Sequence, residues 1–391
     1  MSVVPTSRSD RTDRIEIVLP DRFAPETLGE LQRHFSVHQL LDAADVDARL
    51  AEIAPRVRGI ARGGHARVDR ALIERLPALE IIASFGVGYD GVDVHAAAER
   101  GVIVTNTPDV LTEEVADTVL GLLLMTVREL SAAERHLRAG KWAADGPYPL
   151  TSSLRDRTVG LVGLGRIGLT IAKRLDVMKV PVVYHTRRRR DDVPYRHYAD
   201  LRAMAADVDT LIVIVPGGAS TRHLVDAAVL KALGPNGVLI SAGRGTSVDE
   251  AALIDALRNR TIHAAGLDVF ADEPNVPAAL MALPNAVLLP HVGSASVHTR
   301  RAMGQLVVAN LTSWFDDGRP AHAGGRDSVG RKLRRHCFQT SSVRRRTSDS
   351  WRLTCQRGPN ARRYLMRQGR RRSSVDHRGL PRPHLVRRRE R

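Results

Sequence analysis

The chain has 391 residues, 43% of them apolar, which is enough to bury a large core and favours two domains over one. Its formal charge of +16 would point to nucleic acid or an anionic membrane surface if it were spread evenly, but residues 324–391 hold 22 Arg and Lys against 4 Asp and Glu, while the preceding 323 residues hold 37 against 39. The body is therefore nearly neutral, and because Cys337 and Cys355 both lie in the tail, no disulfide can staple it.

Met1 to Asp13 (MSVVPTSRSDRTD) lacks the apolar core of a secretion signal and reads as a disordered N-terminus. No stretch is apolar for long enough to span a bilayer, so a cytoplasmic protein without a membrane partner is expected. RIEIVLP at Arg14 to Pro20 opens a series of helical segments alternating with short apolar strands at Val57 to Ala61, Leu79 to Phe85 and Val102 to Thr105. That alternation implies parallel βαβ units. The loop SFGVGYDGVD, Ser84 to Asp93, follows one such strand, and its Gly86 and Gly88 suit either an ordinary turn or bare amides that hold a small anion. Next comes NTPDVLTEEVADTVLGLLLMTVREL, Asn106 to Leu130, with Thr112 as its expected N-cap and an apolar face too broad for a solvated helix. Core burial or an oligomer interface would account for that face.

Thr158 to Gly168, TVGLVGLGRIG, joins a β-branched strand to a helical pattern through Gly163, Gly165 and Gly168. In that context the first glycine permits a tight turn, the second a close approach of backbone to pyrophosphate, and the third helix-on-strand packing. This is a dinucleotide seat, with Arg166, Ile167 and, past a later strand, Pro216 as further candidate contacts. Six strands are expected here: Thr158 to Val162, Val180 to His185, Thr210 to Val215, Gly237 to Ser241, Ile262 to Leu267 and Ala286 to Leu289. Helices fit between them, one opened by a capping box of Ser247 and Glu250.

Cofactor choice is read at the end of the second of these strands. An NAD site wants an acid roughly 20 residues past the glycines to bond the ribose 2′-hydroxyl, whereas this chain offers Thr186, Arg187 and Arg188, followed by Arg189 and Arg190. A hydroxyl and guanidiniums favour a 2′-phosphate, and so NADP(H) over NAD; a solvated basic loop describes Arg189 and Arg190 better than it describes the first two arginines.

Ligands of such sheets bind at the carboxyl ends of the strands. Three ends carry chemistry: Arg244 in AGRG, Asp268 and Glu273 in DVFADEP, and His291 in PHVGSAS. Each alone has a structural explanation. Together they supply a guanidinium to clamp a carboxylate, a histidine to exchange a proton, and an acid to support the imidazolium, which is what reduction of a 2-oxo acid requires. No metal is expected.

From Arg14 to about Pro320 the ordered motifs GVGYDGVD, NTPDVLTEEVADT, VGLVGLGRIG, PGGASTRHLV, ISAGRGTSVDEAAL, GLDVFADEP and LLPHVGSAS resemble the D-isomer-specific 2-hydroxyacid dehydrogenase family. The resemblance implies two doubly wound α/β domains of Rossmann and flavodoxin-like type, a substrate-binding domain at 14–106 and 294–322, and an inserted NAD(P)-binding domain at 107–293. It implies Arg244, Glu273 and His291 as the catalytic set, Val87 and Gly88 as amide donors to the substrate carboxylate, and Asp268 as a contact of the nicotinamide carboxamide. PGGASTRHLV and PYPLTSSL look most like the branch of glyoxylate/hydroxypyruvate, 2-ketogluconate and hydroxyphenylpyruvate reductases. A homodimer is expected. Because relatives of these enzymes also serve as nucleotide-sensing corepressors, a pure binding protein is the alternative of a different class.

The match stops near Ala321. Residues 323–391 are basic with little apolar periodicity and are expected to be disordered. They read either as an aberrant reading frame or as a basic arm for nucleic acid, and the lack of interleaved aromatics favours the former, so nucleic acid is not expected as a partner.

Overall fold

The computed structural model describes residues 14–64 and 66–321, so what the sequence suggests for the N-terminal 13 residues and for the basic tail lies outside the described residues. Two sheets, each wholly parallel, organise the rest. The first runs β2-β1-β3-β4-β5, built from β1 (Glu16–Leu19), β2 (Ser36–Gln39), β3 (Val57–Arg62), β4 (Ile81–Ser84) and β5 (Ile103–Thr105). The second runs β12-β11-β10-β9-β6-β7-β8. Its strands are β6 (Val159–Val162), β7 (Val182–His185), β8 (Arg196–Tyr198), β9 (Thr210–Val213), β10 (Val238–Ser241), β11 (Ala264–Leu267) and β12 (Ala286–Leu288). These are the flavodoxin-like and dinucleotide-binding strand orders, each reversing at one point where a crevice opens.

The central strands are continuous apolar runs because helices cover both faces. IIAS, VGLV, TLIV and VLIS are buried at every position. The last helix, Val297–Asp317, returns to the first sheet, where Val307, Val308 and Leu311 join Ile17, Leu19 and Ala83 in one cluster. The helix Thr112–Val127 instead lies on the second sheet, close enough to β11 that a Cβ on Gly266 would strike the Thr126 hydroxyl. Its Val115, Val119, Leu122 and Leu123 are spent in that core. Beyond it in the chain, Leu130, Leu137, Trp142 and Leu150 are among the large apolar side chains left exposed.

Four expectations are corrected. β2 (SVHQ) and β8 (RHY) form at the sheet edges, although neither carries the apolar signature of a strand; pairing to β1 and β7 supplies what their sequence lacks, and the second sheet has seven strands rather than six. Thr112 is the first helical residue and Leu111 occupies the N-cap, with no side-chain cap bond, because the turn at Asp109 (φ 70°) starts the helix directly. The long segment also breaks at Glu129 (φ 51°), where a second helix, Leu130–Arg138, begins. The helix Glu250–Arg258 is capped by Asp249, whose carboxylate accepts from the Ala252 amide. Ser247 is instead held in a 3₁₀ turn, donating its hydroxyl to the Arg244 carbonyl at 2.6 Å, which removes it from the cap.

Candidate functional site

At the reversal point of the second sheet, β6 ends in Gly163, where φ is +103° and a Cβ would stand 2.9 Å from the Ile214 carbonyl oxygen. Gly168 rests on the Gly163 carbonyl, so the helix Arg166–Val177 closes directly on the strand. Gly165 differs from both: nothing lies within 4 Å of where its Cβ would be, and the helix that follows has no side-chain cap. Open space in front of uncapped helix amides is the arrangement a pyrophosphate requires. Beside it Arg166 pairs with Asp109 at 2.8 Å, Ile167 packs into the core, and the Pro216 carbonyl accepts the Thr221 hydroxyl at 2.7 Å.

β7 delivers the basic loop. Arg187 and Arg188 are exposed, and among the described residues their guanidiniums have no hydrogen-bond or ion-pair partner. The Thr186 hydroxyl donates to the Arg188 carbonyl at 2.7 Å, and Arg189 pairs with Asp191 at 3.4 Å. Arg190 is not the solvated residue the sequence suggests. Its Nη1 donates to the Leu164 carbonyl at 2.6 Å, its Nε to Asp192, and its amide to the hydroxyl of buried Tyr184 at 2.9 Å, so it ties the basic loop to the glycine turn.

Across the sheet edge, Arg244, Glu273 and His291 come together. His291 Nδ1 lies 2.6 Å from Glu273 Oε2, and Oε1 accepts the Phe270 amide at 3.0 Å. Burial disfavours the Glu273 charge, but the bonds from His291 and the Phe270 amide, with the charges of His291 and Arg244, outweigh it and hold the carboxyl below its ordinary pKa. The Arg244 loop reaches the same place because Gly245 packs on the Phe270 backbone so closely that no Cβ would fit. His291 itself sits at φ 53°, in a turn fastened by buried Asp268, whose two oxygens accept the amides of Val292 at 2.7 Å and Gly293 at 2.8 Å. Burial pushes the Asp268 pKa up in spite of those amides.

The glycine loop after β4 faces this group. The Val87 carbonyl accepts from Asn106 at 2.8 Å, while the amides of Val87 and Gly88 find no acceptor among the described residues. A Cβ on Gly88 would fall on the Arg244 guanidinium. Arg244 Nε donates to both oxygens of Asp90, at 3.0 and 3.3 Å, and Nη1 to the Gly243 carbonyl at 2.9 Å. Asp90 is not singled out by the sequence: an acid in a glycine loop has a turn explanation, and its partner is 154 residues away. Arg300 adds a further cation, its guanidinium 5.5 Å over the Phe85 ring.

The family model for the NAD-binding domain of D-isomer-specific 2-hydroxyacid dehydrogenases matches residues 120–293. A glyoxylate/hydroxypyruvate reductase A of Arabidopsis thaliana is 44% identical over 286 residues, covering 73% of this chain and 91% of that protein. A hydroxyphenylpyruvate reductase of Plectranthus scutellarioides is 42% identical over 291 residues, covering 74% and 92%. Among solved structures, an NADPH-dependent glyoxylate/hydroxypyruvate reductase from Sinorhizobium meliloti, crystallised with NADP and malonate, is 55% identical, covers 79% of this chain and 96% of its own, and superposes with a TM-score of 0.75.

Proposed function

The chain belongs to the D-isomer-specific 2-hydroxyacid dehydrogenase family, and from that membership we propose that it reduces a small 2-oxo acid of the glyoxylate or hydroxypyruvate type to the D-2-hydroxy acid, with NADPH as reductant. The observation that carries this reading is the convergence of the His291–Glu273 pair with the Arg244 guanidinium opposite the amides of Val87 and Gly88, which have no acceptor among the described residues. A bound reduced nicotinamide supplies hydride to C2 of the substrate. The protein does the rest. Ionised Glu273 accepts a hydrogen bond from His291 Nδ1–H and orients the ring, leaving Nε2–H to protonate the oxygen that becomes the hydroxyl. The Val87 and Gly88 amides with Arg244 Nη2 seat the substrate carboxylate.

The seat for the nucleotide is the Gly163, Gly165 and Gly168 turn with Arg166, Ile167 and Pro216 around it. Thr186, Arg187 and Arg188 take the 2′-phosphate; the absence of an acid at the end of β7 and the two guanidiniums that have no partner among the described residues support NADP(H) over NAD. Asp268, besides holding the His291 turn, keeps lone pairs for the nicotinamide carboxamide. The exposed Leu130, Leu137, Trp142 and Leu150 offer a face for a second copy of the chain, and sedimentation of the purified protein reads whether a homodimer forms.

A panel of glyoxylate, hydroxypyruvate, 2-ketogluconate and hydroxyphenylpyruvate, assayed by the decay of NADPH absorbance, tests activity, cofactor and substrate together. Turnover of glyoxylate or hydroxypyruvate is expected, at higher kcat/KM with NADPH than with NADH. Preference for hydroxyphenylpyruvate would move the substrate to that branch. No turnover of any 2-oxo acid would leave a nucleotide-binding protein of the corepressor kind.

A further inference from the structure

We propose that Asp90 is the positioning residue for Arg244, so that an acid from the first sheet aims the guanidinium of the second at the substrate carboxylate; this rests on the function proposed above.

The argument starts from the donors of Arg244. Nε is spent on both oxygens of Asp90 and Nη1 on its own loop at the Gly243 carbonyl. Nη2 is the remaining nitrogen, and it lies over Gly88, beside the two amides that have no acceptor among the described residues. With two of its three nitrogens held, the planar guanidinium has one orientation left. A substrate carboxylate then meets three fixed donors without an ordering cost at the moment of binding.

Asp90 is itself held in place. It precedes Gly91, which packs so closely on Arg62 that a Cβ would strike that guanidinium, and Arg62 is buried and anchored on Ser84 Oγ at 2.9 Å, the Gly64 carbonyl at 2.7 Å and the Ala66 carbonyl at 2.6 Å. On the other side, Cβ positions at Gly217 would meet both the Arg244 side chain at 3.1 Å and the Asp90 carboxyl at 3.2 Å. The acid is thus fitted between a fixed cation below it and the arginine it aims. The pair also joins the loop after β4 to the loop after β10, so Arg244 is set only when the two sheets bring their loops together.

A double-mutant cycle tests this. Asp90→Ala, Arg244→Ala and the double variant are compared with wild type in kcat/KM for glyoxylate at saturating NADPH, and in the Kd of malonate measured calorimetrically with NADP present. Asp90→Ala alone is expected to lower kcat/KM by about 10- to 100-fold, most of it in KM, and to weaken malonate comparably, while the Kd of NADPH stays within about twofold. In the Arg244→Ala background the same change should cost no more than about twofold in either readout, because a residue acting through another has nothing left to act on. Equal factors in both backgrounds, or a parallel loss of NADPH affinity, would overturn the proposal. Asp90→Asn keeps the side-chain shape and an acceptor for Nε, and is expected to fall between wild type and alanine; it replaces the alanine variant if that one does not fold. A wild type inactive toward every 2-oxo acid would defeat the functional reading alone, since the malonate cycle still reports whether Asp90 aims Arg244.

Discussion

The imidazole of His291 has one nitrogen on Glu273 at 2.6 Å, and the proposed chemistry gives the other a proton to deliver. His291→Ala is therefore expected to lower kcat with glyoxylate by about 10²- to 10⁴-fold, the usual range for losing a general acid, with NADPH affinity retained; near-normal turnover would refute the role. Glu273 carries a separate, pH-dependent signature. Burial opposes its charge, yet the bonds from His291 and the Phe270 amide hold its folded pKa below the ordinary value. Such a group stabilises the fold fully above its unfolded pKa and loses that contribution as pH falls through the folded one. Unfolding midpoints of wild type and Glu273→Gln should be separated near neutrality and converge in acid, and a gap independent of pH would contradict the ion pair. Asp268 is buried with both oxygens on amides, so its replacement acts on the His291 turn before it acts on any ligand.

Loops between strand and helix do the positioning at the next scale. The loop after β4 needs glycine at position 88 because the Arg244 guanidinium occupies the space of a side chain. Gly88→Ala should displace that guanidinium and cost about 10²-fold in kcat/KM for the 2-oxo acid, the effect of a misplacement of about an ångström, while leaving NADPH binding intact. Steady-state kinetics beside a fluorescence titration of NADPH separate the two. The loop after β7 gives the opposite pattern. Arg190 is built into the scaffold through Leu164 and Tyr184, whereas Arg187 and Arg188 extend into solvent. Replacing both by alanine should reduce kcat/KM with NADPH by about 10²-fold or more, as for loss of charge-assisted bonds to a phosphate, and leave the value with NADH nearly unchanged. An equal fall with both cofactors would show that these arginines serve the fold and not the 2′-phosphate.

For the whole molecule, charge divides at about residue 324, with a nearly neutral body and a strongly basic remainder. A chain ending at residue 323 is expected to keep glyoxylate turnover within about twofold of the full chain, and salt-dependent retention on an anionic support should disappear with the tail; a large loss of turnover would give residues 324–391 a part in catalysis. The glycine turn and the central strands were legible from the sequence because each rests on a local requirement, whereas Arg244, Glu273 and His291 each had a structural explanation alone and were singled out only as a set. A positive φ and a close backbone approach demand Gly163, and a strand buried on both faces demands a run such as TLIV. The edge strands β2 and β8 were not legible, since SVHQ and RHY become strands through their neighbours rather than through their own pattern. Nor was the choice of Asp249 over Ser247 as a cap, which turns on where the Arg244 carbonyl lies. Adjacent residues thus determined the glycine turn and the buried strands by themselves. The meeting of Asp90 with Arg244 across 154 residues was decided only when two separate sheets placed their loops against each other, because an ion pair between distant segments depends on where the chain brings them and on nothing in either segment alone.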